Sequence, residues 1–331
     1  MNDDIKNSHD KLFKKTWGNK LNVKSFLQHY LPGNILDLIN LESLEISKDS
    51  FISKDMQEFY SDMLYKIDFK DEPGFIYFLF EHKSYPDSLI HLQLLEYMLK
   101  IWQLELRQKK SKTLPVIIPL VLYHGHKKWK TQKQLSSLFS GQAKNLSQYL
   151  PDFQFILYDL SQYSDDQIKG TIITRIVMLL FKHVFDKNFS DKLPEIFSLL
   201  KDLSKQETGL QYIESLIRYT LTNVENITTK ELIAKIEDKL PLEQGGIIMT
   251  LAEQIRKEGL EQGLEQGLEQ GLIQGIELAV IIKFGDVYDC RPVISKINKI
   301  RNINLLKALK DKIQPAKSIS ELVEFIENKG D

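Results

Sequence analysis

Residues 61–84 read SDMLYKIDFKDEPGFIYFLFEHKS, and this stretch decides the fold. Apolar and polar residues alternate over 62–70, as they do in a strand with one buried face. Residues 75–80 are continuously apolar and aromatic, which is typical of a strand buried on both faces. Between the two runs stands Asp71-Glu72-Pro73-Gly74, a combination that favours a turn. The stretch therefore predicts a β-hairpin that turns at Pro73-Gly74.

Helices are predicted on both sides of the hairpin. Apolar residues recur at helical spacing in 9–17 and 21–31, and Pro32-Gly33 ends the second of these helices. After the hairpin, residues 88–107 predict a long helix whose apolar stripe follows spacings of three and four. The stripe consists of Leu92, Leu95, Leu99 and Trp102.

Two more apolar segments, 115–123 and 153–158, predict further strands. Pro119 argues against a central position for the first, because proline cannot donate a hydrogen bond to the sheet. From residue 165 onward the periodicity is helical, and residues 241–246 have the composition of a linker or cap. The chain is therefore expected to contain an α/β domain, then a helical region, then a repeat-bearing tail. Their predicted ranges are 1–160, 161–245 and 246–331.

The tail contains a four-residue repeat, EGLEQGLEQGLEQGL, at residues 258–272. Four is close to the 3.6 residues of a helical turn, so the glycines form a slowly drifting stripe on one helix. Each glycine costs roughly 1 kcal/mol in a helix interior, and close approach of a second helix would offset that cost. Self-association into a homo-oligomer is one interpretation of the repeat. A tolerated helical spacer of variable length is the other.

Composition excludes several classes of protein. The 331 residues carry 44 Lys and Arg against 45 Asp and Glu, so any affinity for nucleic acid must come from a local basic surface. Cys290 is the only cysteine, which excludes a disulfide scaffold and a cysteine-based zinc site within one chain. No apolar segment follows Met1, and the most apolar stretch, 115–123, is too short to span a bilayer. A cytoplasmic protein without a membrane segment is expected.

Acidic and basic residues stand at the ends of the predicted hairpin strands. Asp62 begins the first strand, and Glu81 and Lys83 end the second, two positions apart and therefore on one face. Because the start of one hairpin strand lies beside the end of the other, Asp62 and Glu81 are expected to converge. Two carboxylates beside a lysine form a site for a hard cation such as Mg²⁺. Solvated strand ends often carry the same residue types, so that alternative stays open.

The spacing of Asp62 and Glu81-x-Lys83 resembles the signature of PD-(D/E)xK nucleases, whose core is a mixed sheet flanked by helices. Further motifs are similar to those of the Rpn family of recombination-promoting nucleases, also labelled putative transposases. The resemblance is close over residues 8–160 and looser beyond. Its motifs are His9-Asp10-x-x-Phe13-Lys14, Phe26-Leu27 with Leu31-Pro32, Ser61-Asp62-Met63-Leu64-Tyr65, Glu81-His82-Lys83-Ser84, Tyr97 with Ile101-Trp102, Pro119-Leu120-Val121-Leu122-Tyr123-His124-Gly125 and Trp129.

The resemblance implies a metal-dependent DNA endonuclease with a role in DNA recombination or in processing mobile or foreign DNA. Asp62 and Glu81 would bind Mg²⁺, with Mn²⁺ and Ca²⁺ as alternatives, and Lys83 would assist catalysis. The family usually has Gln at the position of Lys83, whereas Lys belongs to the broader nuclease signature. The rival hypothesis is a catalytically silent, nuclease-like module that binds DNA or self-associates.

Four auxiliary site residues also follow from the resemblance. His9 and Asp10 stand on the first predicted helix, where the superfamily often places an extra acid, although Asp there is also a common helix-start cap. Gln93 and Tyr97 are four residues apart, on one face of the following helix. They resemble a Gln-x-x-x-Tyr motif that helps to orient DNA, although the family usually has Arg at the first position. A buried aromatic at Tyr97 and a solvated side chain at Gln93 are the alternatives.

Basic residues cluster locally despite the balanced net charge. Residues 100–133 contain nine Lys or Arg and a single acid, and more lysines lie near the first helix. Phosphate contacts need such a local excess, although a solubilising lysine face has the same composition. No base-reading motif is evident, so low sequence specificity is expected. The DNA-binding candidates are Lys14, Lys15, Arg107, Lys109, Lys110, Lys127, Lys128 and Lys130.

Overall fold

The computed structural model describes residues 3–47, 61–70, 72–81, 87–109, 113–125, 127–200, 209–223, 228–237, 242–285 and 287–329. The chain forms two compact units, Met1–Ala252 and Glu253–Asp331. Among the described helices, none combines the length and the apolar composition that a bilayer crossing requires.

A five-stranded mixed sheet forms the centre of the first unit. Its strands are β1 (Ile39–Ile46), β2 (Ser61–Phe69), β3 (Glu72–Glu81), β4 (Val116–Tyr123) and β5 (Ile156–Asp159), and they lie side by side in chain order. The first three strands are antiparallel, whereas β3, β4 and β5 are parallel. This sheet and its flanking helices confirm the predicted α/β core.

Helices occupy most of the remaining described chain. Those in or beginning in the first unit are α1 (Asp3–Trp17), α2 (Lys20–Tyr30), α3 (Gly33–Leu36), α4 (Ile90–Lys109), α5 (Ile172–His183), α6 (Phe189–Ser198), α7 (Gly209–Asn223), α8 (Thr229–Glu237) and α9 (Leu242–Phe284). The second unit continues with α10 (Val287–Ile297), α11 (Ile303–Ile313) and α12 (Ile319–Lys329). Short 3₁₀ turns cover Leu135–Leu138, Gly141–Tyr149, Leu160–Gln162 and Asp165–Gln167.

The hairpin is present, but its turn is not at Pro73-Gly74. Phe69 pairs with Glu72, so the connection is made by residues 70 and 71, and Lys70 adopts a left-handed φ of 55°. Pro73 and Gly74 lie inside β3. Gly74 is required there because the ring of Phe69 occupies the space that a Cβ atom would fill. The predicted turn position is therefore wrong, since the glycine serves packing rather than the turn.

Helices cover the two faces of the sheet. On one face Phe78 packs against rings of Phe13, Trp17 and Phe26 from α1 and α2. On the other face Tyr77 belongs to a core that α4 completes.

The buried side of α4 differs from the predicted leucine stripe. Leu92 and Leu99 are about half exposed, at 51% and 46%, so the predicted stripe is not the buried side of the helix. A different stripe of the helix faces the sheet. It includes polar and aromatic positions, which a count of apolar residues undervalues. The buried residues are Ile90, His91, Leu94, Tyr97, Met98, Ile101 and Glu105.

Two strand predictions need adjustment. Strand β4 lies between β3 and β5, so Pro119 occupies an interior strand, contrary to expectation. Pairing with β5 begins only at Leu120, which leaves Pro119 outside that ladder. Strand β5 starts at Ile156 rather than at residue 153.

Helical elements after the sheet pack against the first two helices, which cover one face of it. Thr171 caps the start of α5 by accepting from the Thr174 N–H, and its hydroxyl donates to Asn22 of α2. At the other end of α5, Lys182 and His183 both contact the carboxylate of Asp165. The predicted linker at 241–246 is helical from residue 242 onward, because it forms the first turns of α9.

The second unit has its own apolar core. The end of α9 contributes Ile276 and Val280, which pack with Cys290 and Val293 of α10 and with residues of α11 and α12. The repeat earlier in α9 is different, since Leu260, Leu264 and Leu268 are exposed and a Cβ atom added to any of its glycines would meet nothing within 4 Å.

Candidate functional site

The hairpin register places two predicted metal ligands on one face of the sheet. Asp62 of β2 pairs with Leu79 of β3, and Glu81 follows two residues later as the last residue of β3. Strand residues two apart lie on the same face. Asp62 and Glu81 are therefore diagonal neighbours, a relation that corresponds to about 7–8 Å. The described side chains do not include these two, and Lys83 lies outside the described residues.

This face is the one that α4 covers. Leu64 is two residues from Asp62 and Tyr77 is four from Glu81, so they share the face of the acids, and both pack in the α4 core. The two acids thus stand where the α4 face reaches the end of the β2–β3 pair.

Gln93 and Tyr97 lie over the same face. The Tyr97 ring stacks on Tyr77 with centroids 5.0 Å apart, and it is 3% exposed. Because β3 and β4 are parallel, α4 runs back against them, so Gln93 lies one turn nearer to the Glu81 end than Tyr97 does. Gln93 is half-buried, not fully solvated. The structure therefore brings this predicted pair to the side of the sheet that carries Asp62 and Glu81.

His9 and Asp10 are on the opposite side. His9 is fully buried, its Nδ1 lies 2.9 Å from the hydroxyl of Tyr219 in α7, and its ring lies 4.9 Å from that of His124. It packs with Phe181 of α5 as well, on the face of Phe78 rather than that of Tyr77. Helix α1 begins at Asp3, so the alternative of a helix-start cap at Asp10 is wrong. The contacts of His9 join α1 to the helical region, and its auxiliary metal role stays a prediction.

The predicted basic residues divide into separate groups. Lys127, Lys128 and Lys130 are exposed and follow the end of β4. That end lies beside Glu81, because Glu81 pairs with Tyr123. Arg107 is exposed near the far end of α4, about 20 Å along the helix from Gln93 at 1.5 Å per residue.

The remaining DNA-binding candidates are Lys14, Lys15, Lys109 and Lys110. Lys15 donates to Ser215 Oγ at 2.5 Å and lies over the Tyr212 ring at 5.3 Å, so its ammonium group takes part in packing between α1 and α7. Burial lowers the pKa of Lys15. Lys14 is exposed. The described side chains do not include Lys109, and Lys110 lies outside the described residues.

A loop that the sequence patterns only partly identified lies beside this end of the sheet. The Trp129 backbone N–H donates to Asp159 Oδ2 at 3.2 Å, and its indole N–H donates to the carbonyl of Thr131 at 2.8 Å. Asp159 is 6% exposed and ends β5. The sequence signal that could have revealed Asp159 is an acid at the end of an apolar strand, at the same edge of the sheet as Glu81.

The predicted metal site depends on the two acids of the hairpin. Within the described part of the chain, no three His, Cys, Asp or Glu side chains converge as metal ligands. The donor set that fits a hard cation is the pair of carboxylates at positions 62 and 81, which the register sets on one face.

Comparison with known proteins gives a family and several relatives. Residues 7–211 match the family model described as "Putative transposase, YhgA-like". The chain is 28% identical over 276 residues to recombination-promoting nuclease RpnA of Escherichia coli K12, covering 83% of this chain and 92% of the relative. It is 28% identical over 251 residues to the inactive recombination-promoting nuclease-like protein RpnE of the same strain, covering 76% and 82%. No solved structure matches the chain.

Proposed function

Because the chain belongs to the family of YhgA-like putative transposases, we propose that it is a Mg²⁺-dependent endonuclease that hydrolyses DNA with low sequence specificity. The observation that carries this proposal is the register that sets Asp62 and Glu81 on one face at one end of the hairpin. A relative named as a recombination-promoting nuclease supports it. The biological role would be DNA recombination or the processing of mobile or foreign DNA, carried out in the cytoplasm.

The roles of the residues follow from their chemistry. Asp62 and Glu81 would hold Mg²⁺, or Mn²⁺ or Ca²⁺ in its place, through carboxylate oxygens. A bound divalent ion supplies an activated water and stabilises charge on the leaving oxygen. Lys83 would position the attacking water and stabilise negative charge that develops on the phosphate. Gln93, which lies near the end of α4 that is closer to Glu81, would help to orient the DNA strand.

The lysines after β4 would guide the DNA backbone. Lys127, Lys128 and Lys130 are exposed and lie at the strand end next to Glu81. Lysine contacts to phosphates do not read the base sequence, which supports low specificity. Because such contacts release counterions, binding is expected to weaken steeply as salt concentration rises.

The test is cleavage of supercoiled plasmid with and without Mg²⁺. The wild type is expected to nick or linearise the plasmid, and a chelator or the Glu81→Ala substitution should abolish the activity. Glu72→Ala is the matched control, since Glu72 is an exposed acid at the opposite end of the same strand. Full activity of Glu81→Ala, or equal loss in both variants, would remove the proposed site.

A second candidate function is a DNA-binding module without turnover. The relative that is named as inactive favours it, since it matches 76% of this chain. Such a protein would bind DNA with strong salt dependence and leave it intact in Mg²⁺, Mn²⁺ and Ca²⁺. Cleavage by the wild type that is lost in Glu81→Ala would exclude this function.

The repeat helix would make the protein a homo-oligomer. Leu260, Leu264 and Leu268 are 65%, 66% and 45% exposed along one four-residue stripe. Beside them the glycines leave the backbone uncovered, which permits close approach of a second helix. The full-length chain is expected to exceed its monomer mass in light scattering, and Leu260→Gln with Leu264→Gln should reduce it to 38.6 kDa. A monomeric wild type would contradict self-association.

A further inference from the structure

A cavity of about 350 Å³ opens beside the candidate site. Glu81 pairs with Tyr123, and Tyr123 pairs with Asp159, so the three residues form a row across β3, β4 and β5. The spacing between strands places the Asp159 backbone about 10 Å from that of Glu81. Its lining includes Lys128, Trp129, Lys133, Leu157, Asp159 and Tyr163.

The cavity floor and the acids share a face of the sheet. Leu157 packs against the α4 core, and Asp159 is two residues further along the same strand. Both therefore lie on the α4 face, as the positions of Asp62 and Glu81 do. A DNA strand that passes the acids could reach the cavity without crossing the sheet.

The aromatic wall of the cavity is held in place before any ligand binds. Two hydrogen bonds fix Trp129, one from its backbone N–H to Asp159 and one from its indole N–H to Thr131. The rings of Tyr123 and Phe155 meet the indole at 74° and 75°, so neither of these two lies flat against its face. The wall is therefore rigid, and ordering it on binding costs little.

The charge of the cavity is positive despite its carboxylate. The oxygens of Asp159 accept from the backbone N–H groups of Trp129 and Ser161, at 3.2 and 3.0 Å. Asp159 is thus occupied in holding the loop, whereas Lys128 and Lys133 are exposed at the rim. An anion entering from solvent meets the two ammonium groups.

An aromatic wall, an apolar floor and two lysines are the elements that bind a nucleotide outside a double helix. Aromatic side chains stack on the face of an unpaired base while cations contact its phosphate. In a duplex the base faces are stacked on one another and cannot reach Trp129. We infer that this cavity binds one unpaired nucleotide next to the scissile phosphate, so that the substrate class is DNA with single-stranded or locally unpaired segments. The inference rests on the proposed function in taking DNA as the ligand and the hairpin acids as the place of cleavage.

Binding without cleavage tests the inference. Fluorescence anisotropy in chelator would compare a labelled oligothymidylate with a duplex of equal length for the wild type, Trp129→Ala and Trp129→Phe. Loss of one stacking contact predicts that Trp129→Ala weakens single-strand binding roughly fivefold or more. Duplex binding should stay within about twofold, and Trp129→Phe should retain most of the single-strand affinity. Lys230→Ala, at an exposed lysine of α8 outside the cavity, is the matched control and should change neither.

Photocrosslinking of the wild-type protein avoids any effect of substitution on folding. An oligonucleotide that contains 5-iododeoxyuridine is expected to crosslink to the peptide that carries Trp129. Crosslinks confined to other peptides, or equal losses of single-strand and duplex affinity in a folded Trp129→Ala, would overturn the inference. Because neither measurement needs cleavage, the cavity can be confirmed even if plasmid cleavage fails.

Discussion

Gly74→Ala tests the packing that fixes the hairpin register. A Cβ atom at this position would lie 2.5 Å from Cε2 of Phe69 and 3.1 Å from the carbonyl oxygen of Val116. Ordinary contact begins near 3.4 Å, so the ring must move and the β3–β4 backbone must also give way. Overpacking of this kind costs about 1–3 kcal/mol. That is a large part of the stability of a typical domain, about 5–15 kcal/mol.

Urea unfolding followed by tryptophan fluorescence is the suitable assay. Trp17, Trp102 and Trp129 all belong to the unit Met1–Ala252, so the signal follows the unit that contains the hairpin. A double-mutant cycle with Phe69→Ala separates the two contacts. Removing the ring should recover about 1 kcal/mol or more of the cost, leaving the part due to the backbone oxygen.

Gly141→Ala is the control for the change itself. A Cβ atom there would meet nothing within 4 Å, so this substitution should be neutral or slightly stabilising. Equal costs of Gly74→Ala with and without the Phe69 ring would show that the ring does not occupy the space beside the glycine. A neutral Gly74→Ala would refute the close packing altogether.

Three other substitutions probe the helices. Gly263→Ala should raise the helix propensity of α9 by about 1 kcal/mol yet weaken self-association in sedimentation velocity, and tighter association would contradict close helix approach. Burial raises the pKa of the Asp165 carboxyl, but hydrogen bonds from Lys182 and His183 outweigh it and lower that pKa below 3.8. The stability advantage of wild type over Asp165→Asn should therefore be complete near neutral pH and shrink as pH falls through the lowered pKa; a constant difference in urea midpoint would contradict this. Thr171→Ala removes the cap of α5 and should cost about 0.5–2 kcal/mol, whereas Thr171→Ser should not; equal midpoints would exclude the cap.

Local patterns were sufficient to predict the hairpin and its faces. Both patterns follow from burial. A strand with one buried face alternates, as residues 62–70 do, and a strand buried on both faces is continuously apolar, as residues 75–80 are. The predicted hairpin brought Asp62 and Glu81 together, and the register of the structure sets both on one face. The signature residues were predicted at strand ends, and the register places Asp62 and Glu81 at one end of the β2–β3 pair.

Features that depend on a neighbour in space were not predictable. Pro73-Gly74 has turn chemistry, but the glycine makes room for the ring of Phe69, five residues earlier. Lys70 makes the turn in a conformation that non-glycine residues seldom adopt, so composition pointed elsewhere. The basic residues of 100–133 were taken together because they are close in sequence. A helix of 20 residues separates its ends by about 30 Å, so Arg107 and Lys128 serve different surfaces.

Strand β3 links the acids to the cavity because one of its neighbours is antiparallel and the other is parallel. It is antiparallel to β2, which brings Asp62 to its end, and parallel to β4, which brings the lysine loop and the Trp129 wall to the same end. Ligands of α/β sheets commonly bind at the carboxyl ends of parallel strands. A slip of one residue in β3 would move Glu81 to the other face of the sheet, that of Phe78 and α1. The same slip would move Tyr77 out of the α4 core, so the apolar packing that stabilises the sheet also enforces the position of the acid.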